Sequence, residues 1–251
     1  MALRRTLGFA SALAGLVLAT AALAQPLSLP ASKESRKVAV VVERGITHTR
    51  QLRSAELRRL RKRMVGGLPM READLRRLAE ARDGLAALRM VKLLRPRGLE
   101  AHASDIAWYA SIAAGAGRAS MFDDFVGALY LLDPASEPRG RVSQYIRVLY
   151  PHVWAGNSMA QDALIALNGA DKLFGPMSEA TRSRIVQDGG ARMVLSLAMT
   201  DLGRGDLDAA GLTRVTGYLD VAERKGDLPI RTMARTLRQS ADARLRTLEE
   251  N

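Results

Sequence analysis

From about Met70 to the C-terminus, apolar residues recur with a period near 3.6, and this pattern most constrains the fold. Ile106, Tyr109, Ala110 and Ala113 fill the i, i+3, i+4, i+7 template. Phe122, Phe125, Val126 and Leu129 fill it again, as do Val142, Tyr145, Ile146 and Leu149. Ile230, Met233, Ala234 and Leu237 start a last stripe that continues through Ala241, Leu245 and Leu248. No comparable alternating pattern follows residue 45. The expected fold is therefore all-α, built from short antiparallel helix hairpins stacked as a degenerate repeat array; the alternative is an irregular helical bundle. Aromatic residues make up only 4% of the chain, so the core must be mostly aliphatic.

Punctuation between the stripes agrees with this reading. Ser120, three residues before Asp123, has the spacing of a capping box. Asp133-Pro134 marks a helix end, because proline disfavours helical geometry at the residue before it. Gly189-Gly190 separates two segments, Gly226 closes one, and Asp227 with Pro229 opens the last. Pro151 is expected to interrupt or kink the helix that carries it. Ser158 reads as an N-cap after Gly156-Asn157.

Antiparallel helix pairs in series suggest a repeat array. Asp83 to Leu94 reads DGLAALRMVKLL, Asp105 to Ala119 reads DIAWYASIAAGAGRA, and Phe122 to Leu132 reads FDDFVGALYLL. The middle piece, with Ala107, Trp108-Tyr109, Ala113-Ala114 and Gly115 or Gly117, resembles the second helix of Sel-like repeats, relatives of the tetratricopeptide repeat. DGLAALRMVKLL would be the first helix of that unit, and the resemblance spans about residues 72–132. It implies a non-catalytic scaffold that presents a helical surface to peptides or proteins. The small residues would let one hairpin approach the next closely.

The N-terminus reads as an address. Arg4 and Arg5 precede an apolar stretch from Thr6 to Ala21, and Ala22-Leu23-Ala24 is a small-residue cleavage site. Residues 1–24 are the expected signal peptide, cut after Ala24, giving a periplasmic or secreted protein. Residues 25–69 form the expected basic arm, and 70–251 the helical domain. The chain carries a net charge of +12. Between Ala31 and Arg63, eleven basic residues face three acids, a net +8, so the body is nearly balanced. Val38 to Val42 could add a strand, and Gln51 to Met64 favours a helix that Gly66-Gly67 and Pro69 break. Arg58, Arg59, Arg61, Lys62 and Arg63 are the arm's candidate contacts to an anionic lipid, a polysaccharide or an acidic protein. Export and the lack of stacking aromatics in the arm argue against nucleic acid.

The residues offer little chemistry. Absence of cysteine excludes disulfides, thiolate metal sites and thiol nucleophiles. His48, His102 and His152 are not at metal-pair spacing, and no phosphate-binding glycine loop is present. Neither a metal nor a cofactor is expected. Tyr145 to Trp154 is the densest aromatic cluster. Its Tyr150, His152 and Trp154 are candidates for a partner groove, or else for the core of the middle hairpin. The expected function is an exported, non-enzymatic helical-repeat scaffold that binds a protein or peptide in the cell envelope. The alternative is an envelope enzyme acting on peptidoglycan or an acidic polysaccharide, which requires a carboxylate in a pocket.

Overall fold

The computed structural model describes residues 38 and 40–250. The signal-peptide reading, on residues 1–24, lies outside them. Among the described residues the chain is all-helical, with eleven α-helices: α1 Ala55–Val65, α2 Glu72–Glu80, α3 Gly84–Leu94, α4 Ala103–Gly115, α5 Phe122–Leu129, α6 Arg139–Trp154, α7 Ser158–Ala166, α8 Glu179–Asp188, α9 Ala191–Leu202, α10 Ala209–Lys225 and α11 Leu228–Glu249. None of these helices is long and apolar enough to cross a membrane.

Even-numbered helices form one layer. Arg76 on α2 reaches Asp105 on α4, Gly115 on α4 lies against Val148 on α6, and Trp154 on α6 lies under Arg184 on α8. The Lys225 ammonium on α10 donates to the carbonyls of Val186 and Gln187 on α8. In the other layer α5, α7, α9 and α11 pack in series. The apolar stripes meet between the layers, where Leu78, Met90, Ile106, Phe125, Leu149, Leu164, Leu195 and Leu219 are buried. Gly115 has the use expected of it: a Cβ there would stand 3.3 Å from the Val148 methyl.

One turn recurs. α1, α2, α4 and α6 each end in a left-handed residue, at Gly67, Arg82, Gly117 and Gly156, with φ of 76, 67, 87 and 83°. In each, the next residue's N–H donates to the carbonyl five residues back: Leu68 to Arg63, Asp83 to Leu78, Arg118 to Ala113 and Asn157 to His152. This is the Schellman closure, which satisfies carbonyls that a helix end leaves open. From Arg82 to Gly117 is 35 residues, and from Gly117 to Gly156 is 39. Residues four before the last three of these turns, Leu78, Ala113 and His152, are buried, whereas Arg63, four before Gly67, is exposed.

The arm is joined to the body. Residues 38 and 40–46 lie as a strap past three of these turns. Ile46 N–H donates to Arg82 O at 2.9 Å, and Val42 and Glu43 N–H both donate to Gly115 O at 2.8 and 2.9 Å. Val40 N–H donates to His152 Nε2 at 3.2 Å, and Asn157 Nδ2 donates to Val38 O at 2.7 Å. The added strand expected at Val38 to Val42 is not formed among the described residues. Helix ends offer isolated carbonyls, not the regular ladder that a strand needs.

Three local expectations are corrected. Ser120 caps nothing at α5: it sits in a 3-10 turn, Ala119–Met121, and α5 starts at Phe122 with no side-chain cap. Asn157, not Ser158, caps α7, because its extended backbone lets Oδ1 accept from Ala160 N–H at 3.1 Å. Pro151 does not end α6, which continues to Trp154. The proline falls in the last turn, so only the bond to the Arg147 carbonyl is forgone, and burial of Leu149, His152 and Val153 holds the turn helical.

Candidate functional site

The arm's cations fall into two groups. Arg61, at i+3 and i+4 from the half-buried Arg58 and Leu57, points inward. Its Nε donates to Asp83 Oδ2 at 2.6 Å, Nη1 to Thr49 Oγ1 at 3.1 Å and Nη2 to the Thr47 carbonyl at 2.9 Å. Arg61 is thus part of the fold and presents no charge to a partner. Arg58 Nη1 donates to the carbonyls of Leu52 and Arg53. Arg59, Lys62 and Arg63 are exposed. His48, Arg50, Arg58, Arg59 and Lys62 line a groove of about 820 Å³ between the 3-10 turn Thr49–Gln51 and α1, with no carboxylate on its wall. The neighbouring acid, Glu56, faces away: it accepts from both Arg77 nitrogens at 2.6 and 2.7 Å, and that guanidinium holds its carboxyl below the ordinary range.

The aromatic cluster of α6 is divided by the helix. His152 is 1% exposed and stacks on Phe122 with ring centroids 4.3 Å apart. Its Nδ1 lies 2.9 Å from the Val148 carbonyl and its Nε2 faces the Val40 N–H. Nδ1 therefore carries the proton and Nε2 accepts, and burial lowers the imidazole's affinity for a second proton. Such a residue offers nothing to a partner. Tyr150 and Trp154 are half-buried and meet edge to face at 6.5 Å, and the Arg184 guanidinium sits 4.1 Å over the Trp154 ring. α8 thus covers much of what a groove there would have used.

A different aromatic carries the open face of α2, α4 and α6. Trp108 is half-buried, and the guanidinium groups of Arg82 and Arg141 lie over its ring at 5.1 and 5.4 Å. Asp105 answers both Arg76 and Arg141, at 3.4 and 3.1 Å. Glu43 of the strap answers Arg147 at 3.1 Å and Arg82 at 4.0 Å. Glu72 answers Arg76 and Arg97. Three carboxylates thus serve five guanidiniums, and the face keeps an excess of positive charge beside a flat apolar ring. In the sequence Trp108 and Tyr109 form the aromatic pair of the Sel-like resemblance. Tyr109 is the one fully buried; Arg76, Arg82 and Arg141 were not singled out because they come together only when the hairpins stack.

A second cavity, of about 710 Å³, lies between the α5–α6 connection and residues 170–175, walled by Asp133, Glu137, Arg139, Lys172 and Phe174 among others. Glu137 is 8% exposed and accepts from the Tyr145 hydroxyl at 2.7 Å. Among the described residues, no group of three or more His, Asp or Glu side chains is placed to hold a metal ion. No family model matches the chain, and neither a curated protein nor a solved structure shows significant similarity to it.

Proposed function

We propose that this protein is an exported, non-catalytic helical-repeat scaffold of the cell envelope that holds a protein partner, aided by a basic arm that addresses anionic surfaces. The observation that carries the reading is Trp108, half-exposed under two guanidiniums on a face with more arginines than carboxylates. A rigid aromatic among arginines is the composition that concentrates binding energy at protein interfaces. The excess positive charge favours a partner segment bearing carboxylates. The turns at Arg82, Gly117 and Gly156, spaced 35 and 39 residues apart, and the likeness of residues 72–132 to Sel-like repeats support a repeat architecture suited to this use.

The test is a crosslinking pull-down from the envelope fraction with the wild-type chain and a Trp108→Ala/Arg141→Ala variant. The reading expects one dominant partner that the variant loses while its helical content stays unchanged. Equal capture by both proteins would refute the assignment of this face.

A second reading rests on Glu137, a buried carboxylate at the wall of the 710 Å³ cavity. It would make the protein an envelope enzyme acting on peptidoglycan or an acidic polysaccharide. Release of soluble fragments from purified peptidoglycan, abolished by Glu137→Gln, would establish it over the scaffold.

A further inference from the structure

The groove at α1 has two features that together specify its ligand. The first is an excess of positive charge: among the described residues Arg50, Arg59 and Lys62 make no close ion pair, Glu56 beside Arg59 is engaged by Arg77, and no carboxylate lines the groove. Arg61, the cation of α1 that is turned inward, is by contrast fully paired. The second is apolar exposure in line with that charge. Arg58, Lys62 and Val65 are spaced i, i+4, i+7 and share one stripe of α1. Val65 is 57% exposed at the end of that stripe, and Leu68, just past the Gly67 turn, is 56% exposed.

We infer that this end of the molecule docks on the surface of an anionic phospholipid bilayer, with lipid phosphates in the groove and Val65 and Leu68 entering the headgroup–acyl boundary. Cations that contact phosphates while adjacent apolar side chains enter the interface define peripheral attachment. A soluble polyanion would satisfy the groove but leave Val65 and Leu68 in water; an acidic protein would leave the lipid composition without effect. The strap and the Arg61–Asp83 pair fix α1 to the array, so docking through α1 would carry the whole scaffold to the membrane. The inference deepens the scaffold reading by naming the surface that the arm addresses, and it does not depend on the Trp108 face.

The experiment is co-sedimentation of the full chain with phosphatidylcholine vesicles and with vesicles containing about one-third phosphatidylglycerol, an anionic fraction that sets up a surface potential. Arg59→Glu/Lys62→Glu and Val65→Ser/Leu68→Ser variants are compared, with circular dichroism as the check on folding. These positions are exposed, so the variants should fold. The expected result is salt-sensitive binding to the anionic vesicles only. It should fall at least about tenfold on charge reversal, and several-fold on the serine changes with the salt dependence kept. Equal binding to both vesicle types would overturn the inference, as would indifference to charge reversal. So would competition by soluble polyphosphate that the serine changes leave unaltered when vesicle binding is unaltered too. Trp108→Ala/Arg141→Ala should bind vesicles like the wild type, so loss of the protein partner and loss of membrane docking are separately readable.

Discussion

Arg61 Nε lies 2.6 Å from Asp83 Oδ2, and the carboxylate side chain has no solvent exposure. The same aspartate is the N-cap of α3, its Oδ1 accepting from Leu85 and Ala86 N–H. One side chain therefore joins the basic α1 to the first hairpin and starts that hairpin's second helix. Asp83→Ala should cost about 3–5 kcal/mol, because it strands a buried guanidinium. Asp83→Asn keeps the capping acceptor and should cost less. Urea denaturation of both variants separates the charge from the cap.

The strap passes its turns at close range. A Cβ on Gly117, at φ +87°, would stand 2.7 Å from the Val41 methyl; on Gly45, at φ +58°, it would stand 2.5 Å from the Arg82 carbonyl oxygen. Alanine at either position should lower stability by about 1–3 kcal/mol and speed hydrogen exchange at the Val42, Glu43 and Ile46 amides. Gly67→Ala is the control. Its φ is also positive but nothing lies within 4 Å, so it should cost about 1–2 kcal/mol and leave strap exchange unchanged.

His152 makes stability and strap attachment depend on pH. Its folded pKa lies below the ordinary 6.5, with burial as the cause. Above the unfolded value both states hold the neutral ring and nothing is lost. As the pH falls below it, the unfolded chain takes up the proton first, so stability declines until the folded pKa is reached. A proton on Nε2 would also set a donor against the Val40 N–H. His152→Leu, which puts in the residue type found at the equivalent Leu78, should remove this contribution to the pH dependence. Denaturation between about pH 5 and pH 8 reads the difference. A wild-type curve with the same slope as the variant's would refute the account.

Tyr145 donates its hydroxyl to Glu137 Oε1 at 2.7 Å, and both residues are buried. Burial and the carboxylate beside it raise the phenol's pKa. Tyr145→Phe leaves the carboxylate short of one donor and should cost about 1.5–3 kcal/mol in chemical denaturation. Spectrophotometric titration should show the phenol that is slowest to ionise missing from the variant.

Much of the helical order was readable from periodicity and punctuation. Asp83 caps α3, Gly189 and Gly190 divide α8 from α9, and Asp227 with Pro229 opens α11, each as its residue type dictates. Misplaced boundaries have local causes. Ser120 and Ser158 both had the composition of a cap, but the backbone angle at Asn157 and the 3-10 turn before Phe122 decided the starts of α7 and α5. Pro151 was expected to interrupt or kink a helix that tertiary burial of its neighbours carries through to Trp154.

The sequence by itself determined that the described body is helical, where several of its helices break, and that positive charge concentrates before residue 64, because propensity, capping and charge are properties of short windows. Only the tertiary structure decided which of those charges remain available. Arg58, Arg59, Arg61 and Lys62 are alike as cations in the sequence, yet Arg61 is neutralised by a carboxylate 22 residues away, and Arg59 and Lys62 line an acid-free groove. Likewise His152 took the core place, one of the two its sequence position allowed, and Trp108 came to the open face. The position four before the turn is buried at Leu78, Ala113 and His152, and stacking of the hairpins brings Arg82, at the end of α2, and Arg141 of α6 over the Trp108 ring of α4. Contacts between residues far apart in the chain exist only once the hydrophobic stripes have set the register of one hairpin on the next.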